Sequence, residues 1–139
     1  MGGFTAETTI DRPVGDVWAA LTDWSTAHHW MAGLDDVRAD GPTVAGTTIT
    51  FRTRGKDRTS TITEARDRSS VTLRSIQGGV TADYRYALAD SDGSTTVSLE
   101  ATCTARGLWR PLCGIIARAM ARADGGQLDA LKATVEARP

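Results

Sequence analysis

The chain has 139 residues, the usual length of one domain, so we expect a single domain over residues 1–139. Its formal net charge is −1 and its basic residues form no block, which argues against a general electrostatic affinity for nucleic acid. No early apolar run is long enough for a signal peptide, and no run of about 18 apolar residues predicts a membrane span, so we expect a cytoplasmic protein.

The first predicted elements are a strand, a helix led by proline and a second short helix. Alternation gives the strand one face made of Phe4, Ala6, Thr8 and Ile10. Pro13 suits the first turn of a helix because its missing N–H would have no partner there, and apolar residues at helical spacing continue to about Thr22. Ser25 can cap a second short helix that runs through Trp30 and ends near Gly33.

Turn signals rich in Gly, Asp and Ser recur at short intervals through the middle of the chain. They separate segments rich in Thr, Val, Ile, Tyr and Phe, which favour strands. The predicted strands are residues 35–39, 47–54, 59–65, 70–76, 80–89 and 95–105. Their short connections predict antiparallel pairing of consecutive strands, so that with the first strand the sheet has about seven strands.

Alternation within these strands predicts which side chains face the interior. The inward set is Ile49, Phe51, Val80, Ala82, Tyr84, Tyr86, Leu88, Val97, Leu99, Ala101, Cys103 and Ala105. The same rule turns Arg52 and Arg85 toward solvent, which suits a sheet with one solvated face. It leaves Arg74 open, because two registers of its strand are tenable.

A long helix is predicted from about residue 110 to residue 138. One apolar stripe at helical spacing comprises Trp109, Leu112, Cys113, Ile116, Ala119, Met120 and Ala123. A second, rotated from the first by about 90°, comprises Leu128, Leu131 and Val135. Adjacent glycines in a helix each cost about 1 kcal/mol relative to alanine. We therefore predict a bend, a bulge or a short break at Asp124-Gly125-Gly126; the alternative is one straight helix whose halves pack on different neighbours.

Several segments carry a resemblance to a known family. They are the opening Ile10-Asp11-Arg12-Pro13-Val14, then Val17-Trp18 with Leu21-Thr22-Asp23, then Trp30, and the closing Leu128-Asp129-Ala130-Leu131-Lys132. In this order and spacing, the chain resembles the polyketide cyclase/dehydrase-like branch of the START-like (SRPBCC) superfamily. The resemblance implies an α+β helix-grip fold, in which a curved antiparallel sheet wraps around a long C-terminal helix and two short helices follow the first strand. The Gly125-Gly126 pair departs from the usual unbroken final helix.

The resemblance also implies a pocket between the sheet and the last helix that binds a hydrophobic or amphipathic small molecule. The candidate ligand-binding residues are Phe51, Tyr84, Tyr86, Trp109, Ile116 and Met120. A buried phenol can anchor a ligand oxygen or donate a proton to an enolate, although a tyrosine at such a position can also be plain core.

The candidate catalytic residues are His28, His29, Tyr84 and Tyr86. The resemblance implies that the histidine pair lies beside the pocket entrance, where one inward imidazole could act as a general base near neutral pH. The alternative is a pair of exposed histidines. No metal or nucleotide motif is present, so we expect no metal and no cofactor. Cys103 and Cys113 could approach each other at a strand–helix corner, and buried free thiols are favoured over a disulfide.

Three functions remain open. The favoured one is binding of a small hydrophobic molecule, either a lipid or a polyketide-like compound. The second is a polyketide cyclase or dehydratase that uses the Tyr or His groups of the pocket. The third is a co-chaperone-like interaction module, which predicts an exposed apolar patch near Trp24, Trp30 and Met31. The sequence leaves open the ligand, the reaction and the oligomeric state.

Overall fold

The computed structural model describes residues 2–31 and 33–137, apart from the side chains of Trp109 and Ala123. The strands are β1 (Gly2–Ile10), β2 (Asp35–Ala39), β3 (Thr48–Thr53), β4 (Lys56–Arg66), β5 (Ser70–Gln77), β6 (Val80–Ser91) and β7 (Ser94–Ala105). The α-helices are α1 (Val14–Leu21), α2 (Cys113–Asp124) and α3 (Gln127–Glu136), and Trp24–His29 and Gly107–Leu112 are 3-10 helices.

The strands form one antiparallel sheet of seven strands, in the order β1-β7-β6-β5-β4-β3-β2. Consecutive strands from β2 to β7 are neighbours, and β1 joins the far side of β7 with Phe4 opposite Ala101. Register shifts interrupt the pairing of β2 with β3 and of β4 with β5, and such bulges increase the bend of a sheet. The predicted helix-grip architecture, with its curved sheet and closing helical segment, is confirmed.

The two faces of the sheet differ as alternation predicts. The inner face buries Ile49, Ile62, Val71, Leu73, Tyr86, Val97, Leu99, Ala101 and Cys103. The outer face carries ion pairs, and Arg74, whose direction the sequence left open, pairs there with Asp83 at 2.8 Å. Arg85 lies 3.8 Å from Glu64 on the same face. One side of the sheet therefore faces the helices and the other faces solvent.

The first short helices follow different periodicities. In α1 the buried residues are Val17, Ala20 and Leu21. The segment Trp24–His29 is a 3-10 helix, so residues three apart share a face, and its buried residues are Trp24 and Ala27. His28 and His29 are both exposed as a result. Of the two alternatives that the sequence left open, the structure has the exposed pair, and neither histidine faces the interior.

The closing helix is interrupted where the glycine pair predicts. Helix α2 ends at Asp124 and α3 begins at Gln127, which confirms a short break. The break is shallow, because the Gly125 N–H still bonds the Ala121 carbonyl at 2.8 Å and Gly125 keeps helical angles. The expected rotation between the stripes is wrong. The buried side chains Cys113, Ala117, Met120, Leu128, Leu131 and Val135 follow one helical stripe, while Leu112 and Ala119 are exposed.

The end of α3 is hydrogen bonded to the turn that joins β1 to α1. The Asp11 N–H donates a hydrogen bond to Glu136 Oε2 at 3.0 Å, and Arg12 Nη2 donates to the Glu136 carbonyl at 2.8 Å. The bond from Asp11 and a further one from Lys132 lower the pKa of the Glu136 carboxyl. These contacts hold α3 across the sheet independently of α2.

The two cysteines meet where β7 gives way to α2. Cys103 and Cys113 are both buried free thiols, with their Sγ atoms 3.1 Å apart. The predicted approach across this corner is confirmed, and so is the preference for free thiols. Burial, together with the hydrogen bond to Cys113, raises the pKa of the Cys103 thiol to about 11.

We expect Gly125→Ala to destabilise the fold by about 1–3 kcal/mol, the usual cost of overpacking. An added Cβ at Gly125 would lie 2.5 Å from the Ala121 carbonyl oxygen, whereas at Gly126 it would meet nothing within 4 Å. Gly126→Ala is therefore the matched control and should be neutral or slightly stabilising. Urea unfolding measures both variants, and equal losses would contradict a tight approach at Gly125.

We expect Cys103 and Cys113 to resist alkylation by iodoacetamide in the folded protein. Both thiols are buried, and the raised pKa of Cys103 leaves little of its reactive thiolate at neutral pH. Intact mass after alkylation should show unmodified folded protein, and full labelling in denaturant after reduction serves as the control. Rapid labelling of the native protein would contradict the buried pair.

Candidate ligand-binding site

A hollow lies between the inner face of the sheet and the helix break. Its inner chamber has a volume of about 240 Å³. The chamber walls include Val37, Ile49, Phe51, Leu73, Tyr84 and Tyr86. An outer groove of about 450 Å³ is lined by Gln77, Gly78, Val80, Ile116 and Met120. Ser75 and Ala82 line both spaces, so the chamber and the groove adjoin.

Most of the chamber wall is apolar, because strand alternation directs the inner-face side chains of β2, β3, β5 and β6 into it. Trp24 and Met31 close the side nearest the first short helices. On the sheet side, Ser60 and Ser75 interrupt the apolar wall, and their Oγ atoms hydrogen bond at 2.6 Å. The chamber thus has a mostly apolar wall with a few fixed polar groups, which is typical of small-molecule sites.

Four polar side chains form a tyrosine–aspartate network at the helical end of the chamber. Tyr86 donates its hydroxyl proton to Gln127 Oε1 at 2.6 Å, and Gln127 Nε2 donates to Asp124 Oδ1 at 3.1 Å. Tyr84 donates to the other carboxylate oxygen, Asp124 Oδ2. The network connects β6 with the residues on either side of the helix break.

Burial dominates the electrostatics of this network. It raises the pKa of Asp124, and the hydrogen bonds from Tyr84 and Gln127 offset part of that rise by favouring the carboxylate. The pKa values of Tyr84 and Tyr86 are raised by burial and by the nearby Asp124 charge. Both phenols therefore stay protonated at neutral pH and serve as hydrogen-bond donors to the network.

The structure gathers part of the residue set predicted from the sequence. Phe51, Tyr84 and Tyr86 line the inner chamber, and Ile116 and Met120 line the outer groove. The side chain of Trp109, the remaining candidate, lies outside what the structure describes. The exposed His28 and His29 line neither space.

Sequence reasoning missed Asp124 and Gln127. Their signal was present, because they flank the glycine pair and continue the inward stripe of α2 and α3, Asp124 one turn and Gln127 two turns beyond Met120. It also missed Ser60, which shares a strand face with Ile62, and Ser75, which faces inward only in the register that points Val71 and Leu73 inward.

The apolar patch expected of an interaction module is not where it was predicted. Trp24, Trp30 and Met31 are 6%, 2% and 5% exposed, so the expectation of an exposed patch there is wrong. Large exposed apolar side chains in the described part of the chain lie elsewhere, at Val44, Ile76, Leu108, Leu112 and Ile115. Among residues 2–31 and 33–137, no group of three or more His, Cys, Asp or Glu side chains could hold a metal ion.

We expect Asp124→Asn to gain stability relative to the wild type as the pH rises. A raised pKa means that the folded state keeps the Asp124 proton where the unfolded chain has released it, so folding is favoured at low pH. This contribution of Asp124 to the stability of the wild type is complete below the ordinary aspartate pKa of about 3.9. It should be lost as the pH rises from that value through the raised pKa of the folded protein.

Urea unfolding of both proteins across this pH range measures the difference. Asp129→Asn, at an exposed position of α3, controls for the removal of a surface charge. A wild-type advantage that grows with pH would contradict the burial of the Asp124 carboxylate.

The chain matches the model of a known protein family. Residues 1–136 match the family described as polyketide cyclase / dehydrase and lipid transport. No curated protein sequence matches the chain. No helix in the described residues is both long enough and apolar enough to cross a membrane.

Solved structures share the fold at low sequence identity. TTHA0849 from Thermus thermophilus is 17% identical with a TM-score of 0.73, over 96% of each chain. A START superfamily protein from Mycobacterium smegmatis is 10% identical with a TM-score of 0.74, again over 96% of each chain. The di-domain ARO/CYC protein StfQ of the steffimycin biosynthetic pathway is 11% identical with a TM-score of 0.72, over 96% of this chain and 50% of StfQ. The chain therefore belongs to the polyketide cyclase / dehydrase and lipid transport family and has the helix-grip fold of the START-like superfamily.

Proposed function

We propose that the chain binds a small hydrophobic or amphipathic molecule in the inner chamber and the adjoining outer groove. The observation that carries the proposal is an apolar chamber that ends in the tyrosine–aspartate network. Such a site takes an apolar body by burial and orients one polar group by hydrogen bonding. The family description, which includes lipid transport and polyketide cyclisation, supports a lipid or a polyketide-like compound as the ligand.

The dimensions of the hollow favour a ligand that occupies both spaces. Pockets that bury a drug-sized ligand measure about 300–1,000 Å³. The chamber alone, at about 240 Å³, is below that range, and the groove adds a second space of about 450 Å³. We therefore expect the polar end of the ligand in the chamber, and its remaining apolar part along Ala82 toward Ile116 and Met120.

A polyketide cyclase or dehydratase is the second candidate, and the Tyr84–Asp124 pair favours it. A carboxylate that receives a hydrogen bond from a phenol can accept a proton from a carbon acid, while a neighbouring phenol donates to the developing enolate. In that mechanism Asp124 replaces the exposed histidines as the base, and the hydroxyl of Tyr84 or Tyr86 turns from its partner in the network to donate to the enolate. Cyclisation products unchanged by Tyr84→Phe and Asp124→Asn would count against it.

We also propose a cytoplasmic location. The free thiols of Cys103 and Cys113 support it, because two thiols this close persist most readily in a reducing compartment.

We expect Ala82→Phe to weaken binding of the uncharged fluorescent probe N-phenyl-1-naphthylamine by at least about tenfold. Ala82 lines both spaces, so a phenyl ring there would fill volume that the probe needs. A tenfold loss corresponds to about 1.4 kcal/mol, within the usual cost of overpacking. Fluorescence titration measures the dissociation constant.

Ala87→Phe is the matched control, because Ala87 lies on the same strand but on the opposite face. It should bind the probe like the wild type. A wild-type protein that takes up no probe, or two variants that bind it equally well, would contradict ligand binding in this hollow.

A further inference from the structure

We propose that the inner chamber selects ligands whose polar group donates hydrogen bonds, above all a protonated amine, with the Asp124 carboxylate as its counter-charge. This inference rests on the proposed ligand-binding function and names the class of ligand. It predicts an amphipathic amine with an apolar body in preference to a fatty acid or another carboxylate.

The direction of the hydrogen bonds is the first argument. Tyr86 donates to Gln127 Oε1, which fixes the amide so that its Nε2 points to Asp124, and Tyr84 donates to the other carboxylate oxygen. The hydroxyl protons of both tyrosines are thus used inside the network. Their remaining lone pairs, with those of the Asp124 carboxylate, are acceptors. The end of the chamber is therefore complementary to a donor.

The charge of the chamber is the second argument. Among the described residues that line the chamber and the groove, Asp124 is the single carboxylate, and none is Lys, Arg or His. The ion pairs found among the described residues involve other carboxylates. A partly buried carboxylate without a cation nearby is costly, and a ligand ammonium group would offset that cost. A ligand carboxylate would add to it by like-charge repulsion.

The shape of the site is the third argument. The rings of Tyr84 and Phe51 line the same chamber as Asp124, so a ligand that places its polar group on the carboxylate can lay its apolar body against these rings. Aromatic faces also attract cations, which adds to the preference for an ammonium group over an alcohol of the same shape.

Three probes of matched skeleton test the inference: 2-(2-naphthyl)ethylamine, 2-(2-naphthyl)ethanol and 2-naphthylacetate. By isothermal titration calorimetry at neutral pH, we expect the amine to bind about tenfold more tightly than the alcohol, because a charged hydrogen bond is roughly twice as strong as a neutral one. The carboxylate should bind most weakly. An amine that binds no better than the alcohol overturns the inference.

Two variants distinguish the effect of the Asp124 charge on amine binding from the effect of the protein's net charge. Asp124→Asn should reduce the affinity for the amine to that for the alcohol while leaving alcohol binding within about threefold. Asp83→Asn removes the same charge from the outer face, where Asp83 pairs with Arg74, and should keep the amine preference. A preference that survives Asp124→Asn, or that is lost equally in Asp83→Asn, contradicts the assignment.

A pH series on the wild type repeats the test without a variant. The titratable groups that face Asp124 are Tyr84 and Tyr86 of β6, and both remain protonated. Of these three groups, acidification therefore changes the charge of the Asp124 carboxylate only. The amine advantage should shrink as the pH falls toward the Asp124 pKa, and a constant advantage overturns the inference. Alcohol binding without an amine preference leaves the proposed function standing, whereas no binding of any probe removes both.

Discussion

The rest of the site depends on the tyrosine–aspartate network, which joins Tyr84 and Tyr86 to Asp124 and Gln127. Buried polar groups must be hydrogen bonded, and these four side chains satisfy one another across the gap between sheet and helices. A tyrosine is long and rigid, so its ring stands between β6 and the helix break as a spacer. The helices are thereby tied to the sheet at a distance that leaves a hollow in place of close packing.

Small side chains keep that hollow open on the sheet side. Ser60, Ser75 and Ala82 occupy inner-face positions where larger residues would fill the chamber. Elsewhere on the same face, Ile62, Val71 and other large residues are fully buried and form the solid part of the core. The protein thus combines a packed half, which fixes the fold, with an open half near the helix break. The anchoring of Glu136 to Asp11 and Arg12 holds α3 on the packed side.

The fold could be predicted further from the sequence than the site could. Alternation identified the strands and the inward faces of β3, β6 and β7, since the side-chain period of a strand is fixed, but it left two registers open for the strand of Arg74. The buried stripe of α2 was predicted incorrectly, because Leu112 and Ala119 were assigned to it on their hydrophobicity alone. In the structure the 3-10 helix extends to Leu112, and the buried stripe begins at Cys113. Asp124 was missed because a carboxylate on a helix is usually solvated. Only the tertiary positions of Tyr84 and Gln127 make it part of a site.

The central claim is that a guest occupies the space beneath the helix break, with its polar end at Asp124. A crystal structure of the protein with 2-(2-naphthyl)ethylamine tests this most directly. We expect the naphthyl ring against Phe51 and Tyr84, and the amino nitrogen within hydrogen-bond distance of an Asp124 oxygen. Density that places the amino group away from Asp124, or a chamber filled by the protein's own side chains, would contradict it.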